Sequence, residues 1–288
     1  MEEYSRFPVI INQNNLVTSD SRGSTFRYEF PRSIQLQNAR LALSNISIYY
    51  SWFNITAENN NNTYSFIWTD GSGSTTYNVT IPDGFYDVSA INSFFQQFCI
   101  SNGLYLVDGN GDFVYYIEFV TNSTYYSVQV NIYPFVTALP AGWSNPNSLT
   151  FPAVASTPQL IVPSTNFGNL IGFVPATYPA AIEATTQSFL SSFTPQVTPI
   201  QSLVISCSLL NNLFSNPSTI LYSFGISDVS FGSLIESAPN EFNYIDVQSS
   251  SYNGFDITIL DQNFNQITLQ DPNLIIQLLF KIKKSDII

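Results

Sequence analysis

Histidine is absent from the 288 residues, only two cysteines occur, and Lys and Arg together number 8 against 20 Asp and Glu. Without histidine, imidazole acid–base catalysis, Ser-His-Asp and Cys-His nucleophiles and histidine metal sites are all excluded. Cys99 and Cys207 are too few for a structural zinc site. Each sits in an apolar segment, Phe95 to Ile100 and Leu203 to Leu210, where a buried free thiol is expected rather than a disulfide. No run of about 18 apolar residues occurs, so no membrane-spanning helix is expected. The start, Met1-Glu2-Glu3-Tyr4-Ser5-Arg6, is acidic and polar where a secretory signal is basic and then apolar, and reads as a cytosolic start. The sequons at Asn45, Asn54, Asn61, Asn78 and Asn122 are accordingly read as chance matches in an Asn-rich chain.

What the chain does contain is apolar and aromatic material, 44% hydrophobic and 15% aromatic, enough for one large β domain or two small ones. Ser, Asn, Thr, Phe, Tyr, Ile and Val dominate, a composition of strand formers joined by Asn/Ser turns. The formal net charge of −12 is unevenly spread. Arg6, Arg22, Arg27, Arg32 and Arg40 lie at the front and Lys281, Lys283 and Lys284 at the back; between Leu41 and Phe280 there are fifteen acids and no base. An acidic body repels polyanions, whereas basic termini suit an acidic neighbour or packaged DNA. Solvation of flexible arms is the plainer explanation of the same residues.

Residues 1–33 lack a sustained period and read as an extended N-terminal arm with one β-like stretch at Thr25 to Phe30. A single domain is expected over 34–288, opening with a long strand from Ile34 to Tyr50 that alternates clearly between Leu41 and Ile48. Tyr64 to Trp68 and Thr75 to Ile81 flank Asp70-Gly71-Ser72-Gly73 as a hairpin. Val88, Ile91, Phe94, Phe95 and Phe98 recur at helical spacing, with Asp83 or Asp87 as cap and Asn102-Gly103 as the stop. Leu104 to Val107 and Phe113 to Val120 bracket a second hairpin, followed by a strand at Tyr125 to Tyr133.

Residues 134–200, rich in proline, read as a loop-rich region or insertion with a strand near Gln159 to Val162 and a turn or short helix at Asn166 to Phe173. Strand signals return at Leu203 to Leu210, Thr219 to Phe224, Tyr244 to Val247, Phe255 to Leu260, Gln266 to Leu269 and Leu274 to Ile282. Ten or more strands, one clear helix and no βαβ alternation predict an all-β, two-sheet antiparallel sandwich, with the single jelly roll ahead of a lectin-type sandwich.

No catalytic set emerges. Asp108, Asn110 and Asp112 alternate as in a calcium loop, but Phe113 stands where glycine is required and no acid closes the loop, so a hairpin turn is expected. Asp83 and Asp87, the one pair resembling glycosidase carboxylates, fit helix capping better. Trp52, Trp68 and Trp143 lie in or near loops and hairpins and would serve a carbohydrate-binding sandwich as stacking platforms; packing and subunit contact is the competing role.

Several segments, in their order along the chain, resemble the penton or minor capsid proteins of virophages and polinton-like viruses. Asn38 to Ile55 is similar to that family's opening barrel strand, and Ile81-Pro82-Asp83-Gly84-Phe85-Tyr86-Asp87-Val88 to its strand-to-helix step. Gly168 to Phe173 with Tyr178-Pro179, Phe231 to Ile235, and Ile259 to Ile267 followed by Asp271-Pro272 and Leu274 to Phe280 complete the match. The resemblance implies a non-enzymatic, cofactor-free jelly roll made in the host cytoplasm and built into the virion. It further implies homopentamers that close the fivefold vertices of an icosahedral DNA-virus capsid and touch the trimeric double-jelly-roll major capsid protein. Arg6, Arg22, Arg27, Arg32, Arg40, Lys281, Lys283 and Lys284 are then the candidate interior or capsid-contact residues, expected to gather at one end of the barrel.

Overall fold

A computed structural model describes residues 4–226 and 229–283, so Lys284 lies outside the described residues. The first strands are β1 (Tyr4–Asn12), β2 (Thr25–Leu36), β3 (Arg40–Tyr49), β4 (Thr63–Asp70) and β5 (Gly73–Thr80), followed by helix α1 (Val88–Ser101). Short strands β6 (Leu106–Val107) and β7 (Phe113–Val114) precede β8 (Ile117–Asn122), β9 (Ser127–Ile132) and β10 (Gln159–Val162). Next come α2 (Phe167–Ile171), β11 (Ala176–Tyr178), β12 (Gln187–Leu190), β13 (Ser202–Cys207) and β14 (Ile220–Gly225). The chain closes with β15 (Leu234–Ser237), β16 (Ile245–Asp246), β17 (Ser250–Asp261) and β18 (Leu274–Lys283).

These elements form two compact units, the first made of Met1–Trp52 with Ile200–Ile288 and the second of Phe53–Pro199. In the first unit one sheet runs β1-β18-β3-β15, with β16 also on β3, and the other runs β14-β13-β17-β2. Every pairing is antiparallel. The chain passes from sheet to sheet in the sequence β1, β2, β3, then β13 and β14, then β15, β17 and β18. This is the eight-strand jelly-roll order, and it is complete within the first unit. Inward positions at period two build its core: Ile11, Ile276 and Ile46 lie in one row, fully buried. Phe280 meets Phe30 and Phe255 across the two sheets at ring separations of 6.4 and 6.0 Å. Gly254 sits at a bulge where β17 crosses the Tyr28 carbonyl so closely that a Cβ would collide with it.

The second unit carries the β11-β10-β4-β5 and β12-β9-β8 sheets, the β6-β7 hairpin and both helices. Asp87 caps α1 by accepting from the Ala90 amide at 2.7 Å, and Val88, Ile91, Phe95 and Cys99 face inward. α2 stops at Gly172, whose φ of 79° and contact with the Phe193 carbonyl leave no room for a side chain.

The all-β jelly roll expected from sequence is present, but its bounds differ. Within the expected arm, the described residues 4–33 are built into the barrel: β1 pairs with β18 and β2 with β17. The long first strand is broken at Asn38, whose φ of 47° turns the chain between β2 and β3. In place of one domain over 34–288 there are two units, and the whole of Phe53–Pro199, wider than the 134–200 stretch, is interposed between β3 and β13. Phe113 to Val120 divides into β7 and β8, and Gln266 to Leu269 makes a single bridge to Leu260.

Residues 13–24 are also anchored. Asp20 accepts from the Arg22, Ser24 and Thr25 amides and from the Gln266 side chain. Partial burial opposes the charged form, but the hydrogen bonds from Arg22, Thr25 and Ser24 outweigh it and hold the carboxyl below its usual value.

Two outcomes follow. Ile11→Ala should cost about 2–5 kcal/mol of stability, while Ile10→Ala on the exposed side of the same strand should change it by less than about 0.5 kcal/mol. Urea titration of both variants reads the difference, and equal effects would contradict the β1 pairing. Cys99 and Cys207 are buried in separate units, and burial pushes both thiols up to about 12. Neither should react with a soluble aromatic disulfide at about pH 8 until the chain is denatured.

Candidate assembly surface

Strand register sets the candidate surface. Arg6 stands opposite Lys281, Lys281 opposite Arg40, and Arg40 opposite Asp246, so three cations and one acid lie in a row across β1, β18, β3 and β16. Three like charges this close repel one another, and their neighbours relieve the repulsion. Arg40 Nε donates to Asp246 Oδ1 at 2.8 Å, and Lys281 Nζ lies 4.6 Å from the Tyr4 ring centre and 5.2 Å from that of Tyr244. Lys283 follows opposite Tyr4. The row occupies the end of the sheet remote from Asn12, Leu274 and Tyr49.

The seven described basic residues therefore do not form one cluster. Arg6, Arg40, Lys281 and Lys283 come together. Arg22 is at the opposite end, where its Nη1 donates to the Gln266 carbonyl at 2.8 Å in the β17–β18 connection. Arg27 is engaged on the outer face of β2, 3.0 Å from Asp256 and 3.6 Å from Glu29. Arg32 is exposed on the same strand. Surface pairs of this kind contribute about 0–1 kcal/mol each and leave the cations accessible.

The acids singled out in sequence have structural partners. Asp83 accepts from the Ala57 amide and Asp87 caps α1, so they serve two separate backbone segments. Asp108 accepts from the Asn110 and Asp112 amides; the Asp112 bond first and the Asn110 bond next hold its carboxyl below the usual value. Among the described residues no three Asp, Glu or Cys side chains converge as metal ligands, and no helix is long and apolar enough to cross a membrane.

Trp52 and Trp68 are buried, and Trp143 is half-buried against the second unit's core. None is an open stacking platform. Sequence reasoning passed over Asp246, visible only through register, and Leu213 and Phe214, which are 84% and 99% exposed in the β13–β14 loop. Their Asn-rich surroundings signal a turn but carry no sign of such exposure.

No protein-family profile matches the chain, and no curated protein matches it. The solved structures similar to it in three dimensions include two that cover almost its whole length. The selenomethionine-labelled mavirus penton protein is 13% identical with a TM-score of 0.47, covering 98% of this chain and 100% of that one. A chain of the Sputnik virophage, solved by cryo-electron microscopy, is 12% identical with a TM-score of 0.41, covering 99% of each.

Proposed function

We propose that this chain is a structural, non-enzymatic capsid protein of an icosahedral DNA virus, of the penton type, with five copies closing each fivefold vertex beside the major capsid protein. The observation that carries the reading is the complete jelly-roll strand order within Met1–Trp52 and Ile200–Ile288, joined to the ordered series of capsid-like segments in the sequence. The row of Arg6, Lys281 and Arg40 with Lys283 is the side that meets the capsid interior or the adjoining major capsid subunits, because it is the strongest concentration of positive charge on an anionic protein. The carbohydrate-binding reading loses Trp52 and Trp68 to the protein interior, and Trp143 is half-buried against the second unit's core.

Co-assembly with the major capsid protein of the same source, imaged by electron microscopy, tests the proposal. Occupied vertices are expected; shells whose vertices stay empty, with saturable glycan binding by the free chain, would overturn it. Lys281→Gln combined with Lys283→Gln should reduce vertex occupancy severalfold with an unchanged melting profile. Full occupancy by that variant would remove the assigned role of the basic row while leaving the capsid reading intact.

A further inference from the structure

The β13–β14 loop leaves the jelly roll beside the basic row. Leu210 in that loop bridges to Val247, the Val247 amide donates to the Ala39 carbonyl at 2.9 Å, and Ala39 precedes Arg40. The loop tip carries Leu213 and Phe214, 84% and 99% exposed, the most exposed large apolar side chains among the described residues. It faces residues 243–249 across an open groove of about 870 Å³, whose far wall includes Tyr244 and Asp246. Both wall residues touch the row: Lys281 Nζ lies 5.2 Å from the Tyr244 ring centre, and Arg40 pairs with Asp246. One end of the barrel therefore holds Arg6, Arg40, Lys281 and Lys283 together with an uncovered apolar tip.

The tip is braced. The Phe214 amide donates to Asn212 Oδ1 at 3.0 Å, the Asn212 amide to the Ser218 carbonyl at 2.8 Å, and Ser215 Oγ to the Pro217 carbonyl at 3.0 Å. No charged residue occurs from Ala184 to Ile226, so no charge in the loop opposes its transfer out of water. Phe242, also exposed, adds apolar surface with its ring 6.3 Å from that of Tyr244. Asp246 and Asp256 are matched by Arg40 and Arg27, which leaves Glu241 to set against Arg6, Lys281 and Lys283. Apolar side chains held in water on an uncharged loop, with cations beside them, are the two halves of an interfacial membrane site: the first enter the acyl boundary and the second meet headgroup phosphates. A nucleic acid would satisfy the cations but leave Leu213 and Phe214 in water.

We infer that this end of the jelly roll is a peripheral membrane-contact site for anionic phospholipid, with Leu213 and Phe214 inserted into the bilayer surface and the basic row on its headgroups. The inference deepens the capsid reading and rests on it for the place of the bilayer, the interior side to which the row is already assigned. Charge complementarity selects the lipid: the protein as a whole is anionic, so only this end approaches a negative surface without repulsion. The contact is shallow, and salt weakens its headgroup part while leaving the apolar part in place.

The test is flotation of the full chain at low salt with phosphatidylcholine vesicles, pure or containing about one-third phosphatidylserine. Wild type should float with the anionic vesicles and at least about tenfold less with the pure ones. Leu213→Ser with Phe214→Ser, at positions with little packing to lose, should cut flotation about tenfold or more with an unchanged melting profile, and so should Lys281→Gln with Lys283→Gln. Tyr125→Ser with Tyr126→Ser removes rings that are 67% and 75% exposed in the second unit, which has no cation, and should leave flotation unchanged. Brominated acyl chains should quench the added fluorescence of the Phe214→Trp variant, which reads insertion directly. Three outcomes would each overturn the inference. One is the absence of flotation on anionic vesicles, including the case in which the same residues bind a DNA duplex or the major capsid protein instead. The others are an equal loss in the tyrosine pair and an unquenched Phe214→Trp variant. Vertex occupancy is measured separately: a chain that fills vertices without floating rejects the lipid contact alone, and one that floats while vertices stay empty rejects the capsid reading alone.

Discussion

Everything in the first unit depends on β18 lying between β1 and β3. Its antiparallel register joins the first described residues to the last, Tyr4 opposite Lys283 and Asn12 opposite Ile275, while its other edge holds Leu274 to Ile48. The inward row of Ile11, Ile276 and Ile46 is the apolar consequence of that register. The row of Arg6, Lys281 and Arg40 is its electrostatic consequence. A shift of β18 by one residue would turn Ile276 outward and Lys281 inward, breaking both rows at their centre, so core and candidate surface are specified by the same set of backbone hydrogen bonds.

Charge is divided between the units as sharply as along the sequence. Phe53–Pro199 contains eight acids and no Lys or Arg, and every cation of the protein belongs to the other unit. Attraction to a polyanion requires cations that release its counterions, so any such contact is confined to the jelly roll. Within the jelly roll the cations are themselves graded: Arg40 and Arg27 are matched by carboxylates, Lys281 is shielded by two tyrosine rings, and Arg6 and Arg32 are exposed on the edge strands.

Local signals were legible in the sequence and distant ones were not. Helix α1 could be read because its apolar spacing, its Asp87 cap and its Gly103 stop all lie within one short stretch. The β4–β5 hairpin and β18 could be read from turn chemistry and alternation. β1 was missed because an edge strand exposes Phe7 and Ile10, carries Pro8 and so shows no clean alternation, while its partner lies at the far end of the chain. The extent of the second unit was missed for a related reason: its boundary at Phe53 follows a strand without any linker-like composition. Positive charge was visible as composition, but which cations become neighbours is decided by register between strands at opposite ends of the chain, and periodicity carries no trace of that.

The interposition of Phe53–Pro199 between β3 and β13 also sets an order of synthesis. The second unit is continuous in sequence, so all its own contacts are available once Pro199 has left the ribosome. The first unit cannot close until β18, the last strand, is made. Until then β3 has an open edge where β18 belongs, and the apolar faces of β1 and β2 are uncovered beside it. A chain interrupted shortly before Leu274 would thus carry one finished unit and one adhesive half-barrel.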